Sequence, residues 1–208
     1  DKKFLKEKFI TTVHNDISLL KKIHTSWNKY INSEQFKDTK IEELKLILAK
    51  EFKRPDNRKV VIFTEYADTA QYLYHQLKNA YKSLLFTAKE TSQEKYIKIL
   101  KHNFDASSKE KVNDYDLLIA TDTIAEGKNL HRAGTVINYD LPYNPTKVVQ
   151  RIGRINRISE KMFDELYIYN FFPTETGETV TNIKTLTGIK KSMFNCIFGD
   201  DTKALTQD

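Results

Sequence analysis

Apolar positions along the chain change their period near residue 54. Up to Lys53 the sequence carries neither Gly nor Pro, and Ile41, Leu44, Ile47 and Leu48 recur at the three- and four-residue steps of an amphipathic helix. Two or more helices are predicted here, broken around Asn32-Ser33-Glu34. Arg54-Pro55-Asp56-Asn57 is a turn signal that closes this unit. Beyond it, short apolar runs alternate with helical stretches. Val60-Val61-Ile62-Phe63, Ser83-Leu84-Leu85-Phe86, Leu117-Leu118-Ile119-Ala120, Thr135-Val136-Ile137-Asn138-Tyr139 and Leu166-Tyr167-Ile168-Tyr169-Asn170 read as strands. The unbroken apolar character of the first is what a strand covered on both faces requires. Helices are expected over 67–80, with Ala70, Leu73 and Leu77 on one face, and over 92–101, with Tyr96, Ile97 and Leu100 turned inward. Residues 103–114 are polar and aperiodic and read as a loop. Asn144-Pro145 is an N-cap followed by a residue suited to the first helical turn. After Pro173 a loop and one helix near 180–197 are expected.

Strands alternating with helices predict an α/β fold built on a parallel sheet. Three segments follow: a helical extension over 1–55, the α/β domain over 56–173, and a C-terminal loop and helix over 174–208. Ligands of such sheets bind beyond the carboxyl ends of the strands. Candidate chemistry therefore lies just after each apolar run. There the chain places Thr64-Glu65-Tyr66, Thr87-Ala88-Lys89, Thr121-Asp122-Thr123 and Asp140-Leu141-Pro142-Tyr143-Asn144-Pro145.

Composition narrows the class. The 208 residues are 39% hydrophobic and 30% charged, as in a soluble globular protein, and no apolar run reaches the length of a membrane span. The N-terminus lacks the apolar core of a secretory signal. It also lacks an initiating Met, which reads as a piece of a longer chain. One cysteine, Cys196, cannot pair internally and points to a reducing, cytoplasmic setting. It sits among Phe194, Ile197 and Phe198 and reads as a small buried hydrophobe. The five histidines are scattered without zinc-like spacing, so no metal ligands are assigned. Trp27 and Tyr30 read as the core face of a helix in preference to base-stacking residues. The net charge of +6 permits a polyanionic partner. It concentrates in residues 1–55 and in 128–161, each of which carries a net +5. The first excess is a solvated face. The second is patterned.

That pattern is Gln150-Arg151-Ile152-Gly153-Arg154-Ile155-Asn156-Arg157. On a helix started by Asn144-Pro145, Val148, Ile152 and Ile155 form the buried face. Gln150, Arg154 and Arg157 share another, beside Gly153. A helix-interior Gly costs about 1 kcal/mol against Ala, so a close backbone approach is expected there. A row of guanidinium groups suits phosphate, because each offers planar bidentate donors and stays charged. Arg-x-x-Arg alone is more often a solvent-facing stripe; its neighbours give it meaning.

Upstream lie Asp116-Leu117-Leu118-Ile119-Ala120-Thr121-Asp122-Thr123-Ile124-Ala125-Glu126-Gly127-Lys128-Asn129-Leu130 and Val136-Ile137-Asn138-Tyr139-Asp140-Leu141-Pro142. With the octet they resemble motifs V and VI of superfamily 2 helicases and translocases, and Val60 to Ala70 resembles motif IV. The resemblance spans roughly residues 57–172. Asn129, Gln150, Ile155-Asn156 and Asn144-Pro145 look like the switch/sucrose-nonfermenting remodeller type, a group that includes the bacterial ATPase that recycles RNA polymerase. DEAD-box RNA helicases usually carry Asp, His and Thr-Gly at the first three of these places.

The resemblance implies a RecA-like lobe, the second of the two that a helicase core needs. It implies that Arg154 and Arg157 act as arginine fingers on ATP held by the other lobe, and that Gln150 couples the γ-phosphate to lobe closure. Glu126, Gly127 and Asn129 match the motif V turn near the nucleotide, with Gly153 beside the fingers. Thr64, Thr87, Thr121 and Arg151 match the nucleic-acid track, with DNA preferred to RNA. Hydroxyls there would position phosphates without reading sequence, although each threonine alone reads equally as a strand-end hydrogen bond. The chain contains no Gly-x-x-x-x-Gly-Lys-Ser/Thr loop, so Mg²⁺ and the nucleotide grip are expected on the first lobe of the same polypeptide. This piece alone is expected to hydrolyse no ATP. Asp164-Glu165 reads as a surface turn. Two alternatives stay open, a non-catalytic nucleic-acid-binding module on the same fold and lobe 2 of an RNA helicase. An α/β phosphate-handling enzyme of another kind ranks last, for want of a nucleophile or metal set.

Overall fold

The structure is a computed structural model that describes residues 2–125, 127–156 and 162–176, together with 179, 182, 185 and 188. Of the expected helix near 180–197 only residues 182, 185 and 188 are described, and Cys196 lies outside the described residues. The chain divides into two compact units, Asp1–Lys45 and Leu46–Asp208. The division falls within a helix, and the Arg54-Pro55 turn lies nine residues beyond it.

The first unit is dominated by α1 (Lys2–Ile31), which ends where the Asn32-Ser33-Glu34 break was expected. Thr11, Thr12 and Thr25 turn their hydroxyls back to carbonyls four residues earlier. Tyr30 meets Phe36 edge-on at 5.6 Å. The core reading of Trp27 and Tyr30 is corrected, since Trp27 is 58% and Tyr30 47% exposed in this chain. Phe9, Ile17, Leu20 and Ile23 are likewise exposed.

α2 (Thr39–Glu51) follows, started by Asp38, whose carboxylate accepts from the Ile41 amide at 3.0 Å. Its Ile41, Leu44 and Leu48 are buried, as their spacing required.

Among the described residues the second unit holds five strands: β1 (Lys59–Thr64), β2 (Ser83–Phe86), β3 (Leu117–Thr121), β4 (Ala133–Asn138) and β5 (Tyr167–Asn170). All pair in parallel in the order β2-β3-β1-β4-β5. Between them run α3 (Ala67–Leu77), α4 (Ala88–Thr91), α5 (Glu94–Phe104), a 3-10 turn (Asp122–Ala125) and α6 (Pro145–Gly153). This is the expected α/β architecture, a parallel sheet flanked by helices. Val61, Phe63, Leu84, Phe86, Leu118 and Ala120 share one hydrophobic core with Leu100 and Phe104 of α5. Burying each large side chain contributes about 1.5–3 kcal/mol.

Two boundaries differ from the pattern reading. A separate turn of helix, α4, precedes α5, because Thr87 and Glu90 form a capping box. α5 also continues through Asn103 and Phe104 into the segment read as loop. Asn103 is buried there, its amide donating to the Ile99 carbonyl at 2.9 Å and its oxygen accepting from the Asp114 and Tyr115 amides. Asp164-Glu165 is exposed, as expected of a turn.

Register decides where the site lies. Phe86, Ala120, Phe63, Asn138 and Asn170 stand in one row across the sheet. Thr87, Thr121 and Thr64 follow that row directly. The chain leaves β1 toward β2 on one side and leaves β4 toward β5 on the other. The carboxyl ends of β1 and β4 therefore flank the topological switch point.

Candidate functional site

The switch point is filled by the chain's own charges. The Asp140 carboxylate accepts from the Thr64 hydroxyl and, at 2.7 Å, from the Glu65 amide, which ties the end of β1 to the end of β4. Lys147 reaches down from α6 to Glu65 Oε1 at 3.0 Å and Asp122 Oδ2 at 3.3 Å. The Glu65 carboxylate, with Asp122 behind it, holds the Lys147 ammonium above its ordinary range.

At the centre stands Arg151, fully buried. Its Nε donates to Asp122 Oδ1 at 2.6 Å and its Nη1 to Asn138 Oδ1 at 2.9 Å and the Asp140 carbonyl at 3.3 Å. The guanidinium carbon lies 5.3 Å from the Phe63 ring centre. Nη2 has no acceptor among the described residues. One side chain thus bonds to the segments after β3 and β4 and packs on β1.

α6 aims the outer residues. Asn144 caps it, accepting from the Thr146 amide at 3.1 Å with Pro145 in the first turn. Its inward face is Val148, Arg151 and Ile155, with Ile152 only half-buried. That corrects the expected Val148, Ile152, Ile155 face: the arginine takes the core position because Asp122 and Asn138 are there to neutralise and bond it. Gln150 is exposed and Arg154 half-buried, and neither forms a side-chain ion pair or hydrogen bond among the described residues. The Arg154 carbonyl accepts from the Leu130 amide at 2.9 Å, so the end of α6 and the loop carrying Gly127 and Asn129 are joined. Gly127 has φ +80°, a left-handed turn that a side chain would strain. Arg157 and Glu126 lie outside the described residues.

Several expectations change on these contacts. Thr64, Thr87, Thr121 and Arg151 are all buried. Thr64 donates to Asp140, and Arg151 engages Nε and Nη1 but not Nη2. Thr87 donates to Glu90 at 2.6 Å, and Thr121 shares a 2.8 Å bond with Thr123. Their side chains bond to neighbouring residues at the strand ends. The close approach expected at Gly153 is absent: it is the last residue of α6, and a Cβ there would meet nothing within 4 Å. The crowded glycine is Gly134, whose Cβ would lie 3.0 Å from Arg58 Cβ. Asn138 and Lys147 were not singled out by sequence, and Asp122, Asp140 and Glu65 only as members of the segments that follow apolar runs. Two signals marked them: Asp122 and Asp140 directly follow apolar runs, and Arg151 lies three residues after Val148 and four before Ile155.

Residues 39–159 match the model of the helicase conserved C-terminal domain. The chain belongs to that family. The resemblance to superfamily 2 helicases read from motifs V and VI therefore holds. Similar proteins include YqhH of Bacillus subtilis, named an uncharacterized ATP-dependent helicase, which is 34% identical over 155 residues, 72% of this chain and 25% of that protein. RNA polymerase-associated protein RapA of Vibrio cholerae is 36% identical over 64 residues, 31% of this chain and 6% of its own. ATP-dependent RNA helicase DBP8 of Pyricularia oryzae is 29% identical over 104 residues, 50% of this chain and 17% of its own. The C-terminal part of the Fun30 ATPase domain shares the fold, with a TM-score of 0.53 and 19% identity over 80% of this chain and 55% of that one. The helicase C-terminal domain described here spans a quarter or less of the length of these curated relatives. Among the described residues, no group of three His, Cys, Asp or Glu could hold a metal ion, and no helix is long and apolar enough to cross a membrane.

Proposed function

We propose that this chain is the second RecA-like lobe of an ATP-dependent nucleic-acid helicase or double-stranded DNA translocase. The observation that carries the reading is the pairing of two surfaces. Gln150 and Arg154 lead out from the end of α6 unengaged, and the Leu130–Arg154 bond holds the Gly127 turn beside them. A guanidinium without an internal partner, on a helix locked from below by Arg151, suits the charged oxygens of a γ-phosphate. ATP is held jointly with the first lobe of the same polypeptide, and Mg²⁺ belongs to that lobe. Bound ATP supplies the phosphoryl group. Arg154, with Arg157, neutralises charge on it, an effect worth about 10³–10⁵ in rate where it operates. Gln150 senses it. Gly127, Asn129 and Gly153 shape the rim. The nucleic acid, DNA before RNA, crosses the carboxyl-end face in a cytoplasmic setting, and Thr64, Thr87, Thr121 and Arg151 support that track from beneath.

In the full-length protein, Arg154→Ala should lower nucleic-acid-stimulated hydrolysis at least a thousandfold and leave ATP and DNA binding near normal. Unchanged turnover would sink the finger assignment. The similarity to DBP8 favours a second reading, an RNA helicase lobe. Stimulation of hydrolysis by single-stranded RNA and not by duplex DNA would select it. Measurable stimulated hydrolysis by this 208-residue piece alone would overturn the division of labour between lobes.

A further inference from the structure

The opposite end of the sheet carries a second cleft, of about 410 Å³, that the proposed motor does not use. It opens at the amino ends of β1, β2 and β3, between the turn after α2 and the segment that leads into β3. That volume falls within the range of small-molecule sites.

Lys59, the first residue of β1, lines it with a side chain only 6% exposed. The ammonium donates to the Tyr115 carbonyl and stands 3.9 Å from Asp116 Oδ1, beyond hydrogen-bonding distance. It lies 5.2 Å from the Phe104 ring centre. An ammonium has three protons to donate, and this one places a single hydrogen bond. Arg132 and Lys82 add positive charge around it, against Asp116 and Asp114. Burial first, and then the Arg132 charge, pull its pKa down to about 8.

The other cations of the cleft divide into two kinds. Arg54 and Arg58 are already matched: Arg54 bonds to Glu51 at 2.8 Å and stacks on Tyr167, and Arg58 bonds to Asp56 and to the Gly134 and Glu165 carbonyls. Lys82 on the rim is exposed and has no ion pair among the described residues. Asn57 and Asn113 bring amides to the same opening, and Asn113 is oriented by Arg132, which donates to its oxygen. Two underused ammonium groups and two amides around one concave space form a donor set for a tetrahedral oxyanion.

We propose that this cleft binds the phosphate group of a small phosphorylated molecule, with Lys59 and Lys82 as its charged contacts. The site is independent of the motor reading, since it lies at the far ends of the strands from Gln150 and Arg154. Glu51 and Asp116 also line the cleft, but Glu51 is taken up by Arg54, Thr135 and Tyr169. A buried Lys59 favours a compact anion over a nucleic-acid backbone.

The test uses the full chain, with inorganic phosphate and AMP as probes, read by calorimetry and by the shift in thermal midpoint. At pH 7 both probes should bind. Lys82→Ala should weaken them about tenfold and Lys59→Met should abolish binding. Affinity should also fall at least tenfold between pH 7 and pH 9.5, as Lys59, faced by Arg132, Lys82, Asp116 and Asp114, loses its proton. If Lys59→Met fails to fold, the Lys82→Ala and pH measurements still decide. Affinities equal in parent and Lys82→Ala and flat across that pH range would overturn the proposal. So would an oligonucleotide weakened by Lys82→Ala while phosphate and AMP are not, because the surface would then be a nucleic-acid track.

Discussion

Arg151 and Lys59 are both cations buried in the same sheet domain, one at each end of the strands, and their surroundings differ. Arg151 spends its Nε and Nη1 donors on Asp122, Asn138 and the Asp140 carbonyl, with Nη2 left without an acceptor among the described residues. Lys59 has one carbonyl, a carboxylate at 3.9 Å and two neighbouring positive charges. Burying a charge is tolerable when counter-charge and hydrogen bonds replace the lost water. The first cation has its counter-charge at 2.6 Å and becomes part of the scaffold, tying α6 to the segments after β3 and β4. The second does not, and its unmet demand is what makes a cleft into a candidate site. Buried charge thus marks a strut where it is matched and a receptor where it is not.

The contrast can be broken most directly at Asp122. Asp122→Ala leaves Arg151 buried without its counter-charge and should cost about 3 kcal/mol, read as a lowered urea midpoint. A loss under about 1 kcal/mol would mean that Asn138 and the Asp140 carbonyl suffice alone. Thr64→Val removes the hydroxyl donor to Asp140 and should cost about 1.5 kcal/mol by the same measurement. Lys59→Met, at the other end, should be neutral or stabilising by about 1 kcal/mol at pH 7, opposite in sign to Asp122→Ala; a marked loss would show that Lys59 is a matched strut after all.

The pH dependence sharpens the same point. The folded-state pKa of Lys59 is depressed from 10.5 to about 8, so between those values the unfolded chain holds a proton that the folded chain has released. Stability therefore rises with pH across that window. The rise should be larger in the parent than in Lys59→Met when unfolding is compared at pH 8 and pH 10.5. The smallest effect is expected for Asp116→Asn. Its carboxylate is 43% exposed and too far from Lys59 to bond, and the change should stay within about 0.5 kcal/mol.

Much of the architecture was legible locally. The central strands β3, β1 and β4 were visible as apolar runs, because a central parallel strand needs apolar residues on both faces. The edge strands β2 and β5 were visible as shorter runs. Asn144-Pro145 announced α6 and Gly127 its turn. Asn103 was not legible: a polar residue inside a buried helix end looks like loop until its partners, Ile99, Asp114 and Tyr115, are in place. The octet was legible as chemistry but its members were not sorted. Gln150 is exposed and Arg154 half-buried, while Arg151, assigned to the track, is fully buried.

The sequence by itself determined the elements, their order and the family, since each rests on periods and motifs contained in short windows. Only the tertiary structure decided which polar side chains are struts and which are open to a ligand. That depends on pairings the chain makes over long separations, 29 residues from Asp122 to Arg151 and 76 from Thr64 to Asp140. A charge is matched or unmatched by whatever the fold brings within about 3 Å of it, and no local window contains that partner.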